Sequence, residues 1–429
     1  MRRARAFAAA GVLAACGAAP LGAAPATTSA QIDGVRAFAR PDPGAPLAGI
    51  ALFVRAGLDR QPGDENGVAA LAAQCVLETP VDGVRLADAV DAGGGSVAFA
   101  VSAQHVRFFL EAPAGALPRL AALAARALSA PAFDDATLAV ARDALGKRIA
   151  DEGEDPRAVG LQMVHQAYYT GGSGFPPLGE PGALAQLDAG ALRAFYARWY
   201  VRGGALLASV GQTGAASDAA AASLAAALPA GDAPASAVTV RPYAAQPRQI
   251  VARRDLGGPF IVVGYAAPAL ADKDFAAALV VRAMIEGILE PAVGTGSAPF
   301  RPAGVIYGYD AAPAQMAVWI NGGRTEPTIA LGMLIAAMRS ASTRALPASQ
   351  LTKYVETARG EWALETLSLD ERAFAIGNAV LHGLDPDADA EVETAIGAVT
   401  AADVERVAKR WFQRFDVALV VPRSTGTGG

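Results

Sequence analysis

The chain has 429 residues, long for one domain and comfortable for two of about 200 each. It is 53% hydrophobic and only 18% charged; much of the apolar share is alanine, which favours packed helices and excludes a disordered chain. A formal charge of −5, with no basic run after the N-terminus, excludes a nucleic-acid surface.

Residues 1–30 read as a targeting segment and short tail. Arg2, Arg3 and Arg5 form a positive region and Ala6 to Ala15 a short apolar one, the pattern of an export signal. Leu13-Ala14-Ala15-Cys16 has the form of a bacterial lipoprotein signal, which makes Cys16 a candidate lipidation site. The alternative is an ordinary secretory signal cleaved after Ala23 or Ala24. Either way the expected location is the periplasm, with membrane attachment only through a lipid. No other apolar run reaches the roughly 20 uninterrupted residues that span a bilayer. Cys75 has no partner once Cys16 is lipidated or removed, so no disulfide framework is expected. At an apolar helical position, Cys75 reads as a small buried hydrophobe.

From Gln31 the chain begins with short extended stretches. Ile50 to Val54 is a continuous apolar run, as in a strand covered on both faces. A polar turn containing Asp64, Glu65 and Asn66 follows, and Asn66 is the expected N-cap of a helix over Gly67 to Pro80. Arg85 to Ala92 reads as a helix stopped by Gly93-Gly94-Gly95. Ser96 to Val101 and Val106 to Glu111 read as strands, and Leu117 to Leu128 and Asp134 to Asp151 as helices. Asp188 to Tyr200 reads as an amphipathic helix before a strand over Ala205 to Val210. Residues 31–228 are thus expected to form a first α+β domain. Residues 229–249, rich in Pro, Ala, Gly and Ser, are the expected linker. Residues 250–429 form a second domain with strands at Ile261 to Tyr265 and Met316 to Ile320. Its helices are expected at Asp274 to Ile288, Thr328 to Arg339 and Pro347 to Thr366.

The two halves repeat. Ala189 to Tyr200 aligns without a gap on Ala401 to Phe412, with Arg198-Trp199 on Arg410-Trp411 and Leu192, Phe195 and Tyr200 on Val404, Val407 and Phe412. At the same offset, Leu206-Leu207-Ala208 falls on Ala418-Leu419-Val420. The expected fold is therefore two tandem α+β domains of like topology, each a mostly antiparallel sheet packed against helices.

This order of elements resembles the insulinase/pitrilysin family of zinc metallopeptidases, the inverted zincins, from about Gly34 to Val421. Family members read as a strand, an acidic turn and then G-L-A-H-x-x-E-H. Leu52 to Gly57 and Asp64 to Ala69 follow that framing. Gly93 to Ala100 resembles the family's G-G-x-x-N-A-x-T strand, which pairs with extended substrate, with Val97 where Asn is usual. Asp155-Pro156, Pro177-Leu178-Gly179 and Leu192 to Tyr200 match later landmarks.

The resemblance also implies four metal-site positions, and all are vacant. In active members two His one turn apart share a helix face and bind zinc, the Glu between them activates water, and a second Glu completes the ligands. Here Ala70 and Gln74 hold the His positions, Ala73 the catalytic Glu position and Arg148 the distal one, where a guanidinium repels a cation. His105, His165 and His382 are scattered and read as structural or surface histidines. Glu78 alone does not make a metal site, and Glu152, Glu154 and Asp155 read as a solvated helix end.

The resemblance offers Ser96, Val97, Ala98 and Phe99 as candidate substrate-binding residues, together with Arg301 and Tyr307 of a segment similar to the family's R-x-x-x-G-L-A-Y. For Tyr307 and Arg301 the plainer alternative is a strand-edge Tyr and a surface Arg. The Gly-rich stretch Ile288 to Ser297 could handle substrate. The implied function is that of an exported, catalytically inactive subunit, like the non-catalytic subunit of mitochondrial processing peptidase. It would pair as a heterodimer with an active H-x-x-E-H homologue that holds the zinc, and help to enclose peptide substrates. A peptide-binding or scaffold homodimer without a peptidase partner is the alternative.

Overall fold

The computed structural model describes residues 26–292, 303–323, 325–343 and 346–423. The first half runs β1 (Thr28–Ile32), β2 (Val35–Pro41), β3 (Ala48–Val54), α1 (Val68–Glu78), the two-residue strands β4 (Pro80–Val81) and β5 (Val84–Arg85), and α2 (Leu86–Ala92). It continues with β6 (Ser96–Val101), β7 (Val106–Ala112), α3 (Leu117–Ser129), α4 (Asp135–Glu154), α5 (Pro156–Tyr168), α6 (Pro181–Gln186), α7 (Ala189–Trp199), β8 (Ala205–Gly211) and α8 (Ala215–Ala227). The second half runs β9 (Gln249–Arg254), β10 (Phe260–Ala267), α9 (Phe275–Ala292), β11 (Ala303–Gly308), β12 (Ala314–Asn321) and α10 (Pro327–Thr343). It closes with α11 (Ala348–Leu364), α12 (Leu369–Leu381), α13 (Ala388–Gly397), α14 (Ala401–Trp411) and β13 (Phe415–Pro422). Among the described residues no helix is long and apolar enough to cross a membrane.

Two mixed sheets carry the fold. The first has the order β1-β2-β8-β3-β7-β6 and the second β11-β12-β10-β13-β9. Without β1, the first order read from β2 is the second read from β9, strand for strand. In each sheet the one parallel pair joins an early strand of the half, β2 or β9, to its last strand, β8 or β13, with Arg36 opposite Leu206 and Ile250 opposite Ala418. All other pairs are antiparallel. The fold is the expected one: two like α+β halves, each a mostly antiparallel sheet with helices.

The uniform burial of β3 has a specific cause. Ile50, Leu52 and Val54 face a core shared with α1, α3, α7 and α8, while Ala51 and Phe53 face the other way. That second face is covered by Ala373, Ile376 and Val380 of α12, which comes from the other half of the chain. The second sheet receives the reciprocal cover: Val164 of α5, a first-half helix, packs on Phe260, Val262, Trp319 and Val420. Each half therefore lends one helix to the other's sheet. Small residues permit the close approach. A Cβ on Gly160 would meet Val262 Cγ2 at 2.5 Å, and one on Gly377 would meet Phe53 Cζ at 2.2 Å.

Several details differ from what the sequence led us to expect. The α1 helix begins at Val68 and is capped not by Asn66 but by Gly67, which has φ 92°. Gln61 Oε1 takes the cap's hydrogen-bonding role, accepting from Gly67 N at 2.9 Å and Ala69 N at 3.1 Å. Helices α5, α6, α8, α12 and α13 are additional to those expected. The stretch 229–249 is not a free tether: Gln249 already belongs to β9, Val240 bridges to Tyr169, and Tyr243 stacks on Tyr168 with centroids 4.9 Å apart.

Candidate functional site

Every residue of α1 is buried, so this helix is core rather than cleft wall. Ala70 and Gln74 share a face, one turn apart. Against α1 lies α4, capped by Asp134, whose side chain accepts from Thr137 N at 2.9 Å. Its Leu138, Ala141 and Leu145 are buried in the same core. Arg148, one turn beyond Leu145, is exposed and holds its guanidinium 5.2 Å from the centroid of the Phe99 ring, a cation–π contact.

At Ala70, Ala73, Gln74 and Arg148, the positions that the resemblance marked, the side chains end in methyl groups, one amide and one guanidinium. The amide is engaged: Gln74 Nε2 donates to Glu78 Oε1 at 2.8 Å, and Arg85 Nη1 donates to Glu78 Oε2 at 3.0 Å. Among the described residues, no group of three or more His, Cys, Asp or Glu side chains could hold a metal ion. Cys75 is buried on the same helix, and burial pushes its thiol up to about 12, leaving it protonated and unreactive at neutral pH.

The three histidines sit in structural settings, with His105 close enough to His382 to feel its charge. His105 sits one residue before β7 rather than within a strand, hydrogen-bonded to Ser102 Oγ through Nδ1 at 2.9 Å and packed on Phe53. Burial pushes its pKa down to about 3, so the ring is neutral. His165 on α5 bonds the Ser173 carbonyl through Nε2 at 2.9 Å. His382, the C-cap of α12, bonds the Asn378 carbonyl through Nδ1 at 2.8 Å.

The candidate substrate-binding residues fall into two groups. Ser96, Val97, Ala98 and Phe99 lie on β6, an edge strand paired only with β7. Ser96, Ala98 and Ala100 are exposed, whereas Phe99 is buried and Val97 half-buried against the helices. The outer edge of this strand keeps main-chain donors and acceptors unpaired, which suits the addition of an extended peptide. Tyr307 lies on β11, the edge of the second sheet, but its ring is buried against Phe275 and its hydroxyl donates to the Pro268 carbonyl. That phenol belongs to the core. Arg301, Cys16 and residues 293–297 of the Gly-rich stretch lie outside the described residues.

The sequence reading missed α5 although its start was readable: Asp155 caps it through Arg157 N at 2.8 Å and Pro156 occupies the first turn. Its residues Gln162 and His165, with Asp310 after β11, line a cleft between the halves. No local signal places Asp310 beside α5, because only tertiary packing brings them together.

The architecture is two like α+β halves, each a mostly antiparallel sheet with helices, and its described residues bring no set of metal ligands together. Residues 36–182 match the family "Insulinase (Peptidase family M16)". That part of the chain is similar to the insulinase family, and the sequence carries no H-x-x-E-H.

Solved structures share the fold over nearly the whole chain. A protease from Helicobacter pylori superposes with TM-score 0.81 at 12% identity, covering 93% of this chain and 100% of that one. A peptidase M16 inactive domain from Pseudomonas fluorescens gives TM-score 0.76 at 16% identity, covering 92% and 98%. A chain of complex III2 from Candida albicans gives 0.73 at 14% identity, covering 92% and 95%. No curated protein matches the sequence.

Proposed function

We propose that this chain is an exported, catalytically inactive subunit that pairs with an active zinc-dependent homologue and helps to wall the chamber in which peptides are cleaved. One observation supports the reading: the fold is complete around a buried helix, and at the positions where the resemblance expects zinc ligands this helix has Ala70, Ala73 and Gln74 and α4 has Arg148. The likeness in fold to a peptidase M16 inactive domain and to a chain of complex III2 supports the reading. Zinc belongs to the partner in this reading. The N-terminal signal supports a periplasmic location, with Cys16 as the point of lipid attachment.

A second reading has a homodimer that captures extended peptides on β6 without any peptidase partner; the open edge of that strand favours it. One experiment separates the two. The purified chain is assayed for bound zinc, self-association and peptide cleavage, alone and after co-expression with an exported H-x-x-E-H homologue. We expect no stoichiometric zinc and no cleavage alone, and a one-to-one complex that cleaves peptides when the homologue is present. Zinc at one per chain, or chelator-sensitive cleavage by the isolated chain, would sink both readings. Self-association with peptide binding and no heteromeric complex would leave the second.

A further inference from the structure

Between the halves, where the end of β6, the exposed side of α5 and the edge strand β11 meet, lies a cleft of about 280 Å³. This is near the lower end of the range for small-ligand pockets, roughly 300 Å³ and upward, so it suits a small molecule or a single side chain. Its charged groups are both carboxylates, beside neutral groups that include the Ser102 hydroxyl and the Gln162 amide, whose Nε2 is buried without a partner among the described residues. Glu152 and Asp310 contribute two carboxylates, and neither carboxylate forms an ion pair or hydrogen bond among the described residues. His165 donates its Nε2 proton to the Ser173 carbonyl, a group that can only accept, so Nδ1 is left as an acceptor. Burial lowers the pKa of this ring, which is therefore neutral at neutral pH.

Asp310 lies close enough to His165 and Tyr169 to act electrostatically on both. No Lys or Arg is among the described residues that line the cleft. The remaining walls are apolar, with Leu161 on one side and Ile306 on the other. The cleft therefore offers two uncompensated negative charges, a neutral acceptor and a hydrocarbon surface. A cation that donates hydrogen bonds and carries an aliphatic stem would complete it.

We propose that this cleft binds an organic cation, a primary ammonium or guanidinium on a short aliphatic stem, with its head at Asp310, Glu152 and His165 and its stem between Leu161 and Ile306. Two sources share that chemistry. One is a free diamine or guanidino-amine. The other is the Lys or Arg side chain of a peptide lying along β6, since Val101 at the end of that edge strand also lines the cleft. The proposal stands whether or not a peptidase partner exists.

Titration calorimetry on the full chain tests it, with cadaverine, agmatine and two extended peptides identical except for one lysine replaced by norleucine. At least one cationic probe binds saturably, and its affinity falls as salt is raised. Asp310→Asn weakens it on the order of tenfold, as for one partly buried charge-assisted contact. Ile306→Arg, at a wall position that already touches solvent, supplies an internal guanidinium and abolishes binding. Preference for cadaverine or agmatine identifies a free amine as ligand; preference for the lysine peptide over its norleucine twin identifies a side chain. The proposal is overturned if no cationic probe binds saturably, if binding survives both substitutions, or if the norleucine peptide binds as well as the lysine peptide and neither amine binds. Thermal melts of both variants, expected to match the parent, keep a loss of binding from being a loss of fold.

Discussion

Asp274 is fully buried just before α9 and yet retains a charge, because its surroundings replace water donor for donor. Arg406 bonds one carboxylate oxygen; Arg410 and the Trp411 indole bond the other at 3.0 Å each. Burial acts to raise its pKa, but the hydrogen bonds from Trp411 and Arg406 and the nearby guanidinium charges outweigh it, and the net shift is downward. A carboxylate with a lowered folded-state pKa contributes stability above its unfolded pKa and loses it as pH falls through the folded value. We therefore expect Asp274→Asn to reduce stability at neutral pH and to flatten the acid limb below about pH 4. Asp274→Ala should cost roughly 3 kcal/mol, because it strands the indole and two half-exposed guanidinium groups. Urea midpoints at neutral and acid pH check both; an unchanged acid limb in Asp274→Asn would count against the assignment. The Arg410-Trp411 pair that served as a marker of the internal repeat thus has a physical task in the second half. Residue-scale reading worked where the partner was local: the helices expected to start at Asp134 and at Asp188 do so, each aspartate accepting from a nearby backbone N–H. It failed where the partner was remote: Gln61 supplies the cap expected of Asn66, and Pro268 draws the Tyr307 hydroxyl into the core.

At the level of elements, the exchanged helices α5 and α12 explain why part of the fold was legible and part was not. Strands β3 and β10 read clearly because both faces are buried and the apolar run is continuous. The residue types at Ala70, Ala73, Gln74 and Arg148 were legible too, since they need no tertiary information. The exchanged helices were not, because each answers to a sheet some 100 residues or more away in sequence, and alanine and glycine at their contact points carry little hydrophobic signal. Gly377 is the tightest of these points. Its missing side chain is filled by the Phe53 ring, three of whose carbons would lie within 2.2 to 2.7 Å of a Cβ there. Gly377→Ala should therefore lift α12 from the first sheet and cost about 1–3 kcal/mol despite the better helix propensity of alanine. Phe53→Leu alone costs about 1 kcal/mol or more by leaving a cavity. The double substitution should cost less than the sum, because the smaller side chain makes room for the new methyl group. A thermal double-mutant cycle measures this coupling. Strict additivity would mean that α12 does not bear on β3 through this contact.

For the whole molecule, the exchange means that the two halves are separable in sequence order but not in packing. Without α12, the first sheet would expose Ala51, Phe53, Phe109, Leu206, Ala208 and Val210 on one face; without α5, the second would expose Phe260, Val262, Ala317, Trp319, Ala418 and Val420. Polar ties cross the same seam. Arg40 of β2 pairs with Asp387 at 3.0 Å and Asp389 at 2.6 Å beside α13, Tyr169 donates to the Pro313 carbonyl at 3.0 Å, and Gln315 donates to the Val164 carbonyl at 3.0 Å. An exposed sheet face of that size is an aggregation surface. Residues 26–228 and 250–423 expressed as separate chains should each be poorly soluble and bind a hydrophobic dye, and co-expression should rescue both by restoring the exchange. The intact chain should unfold in one calorimetric transition whose van't Hoff and calorimetric enthalpies agree. Two resolved transitions, or a first-half fragment that is monomeric and dye-silent alone, would show that the exchanged helices are dispensable. The same coupling bears on function. In the proposed role of a chamber wall the two sheets would have to be held as one body, and the reciprocal helices supply that coupling.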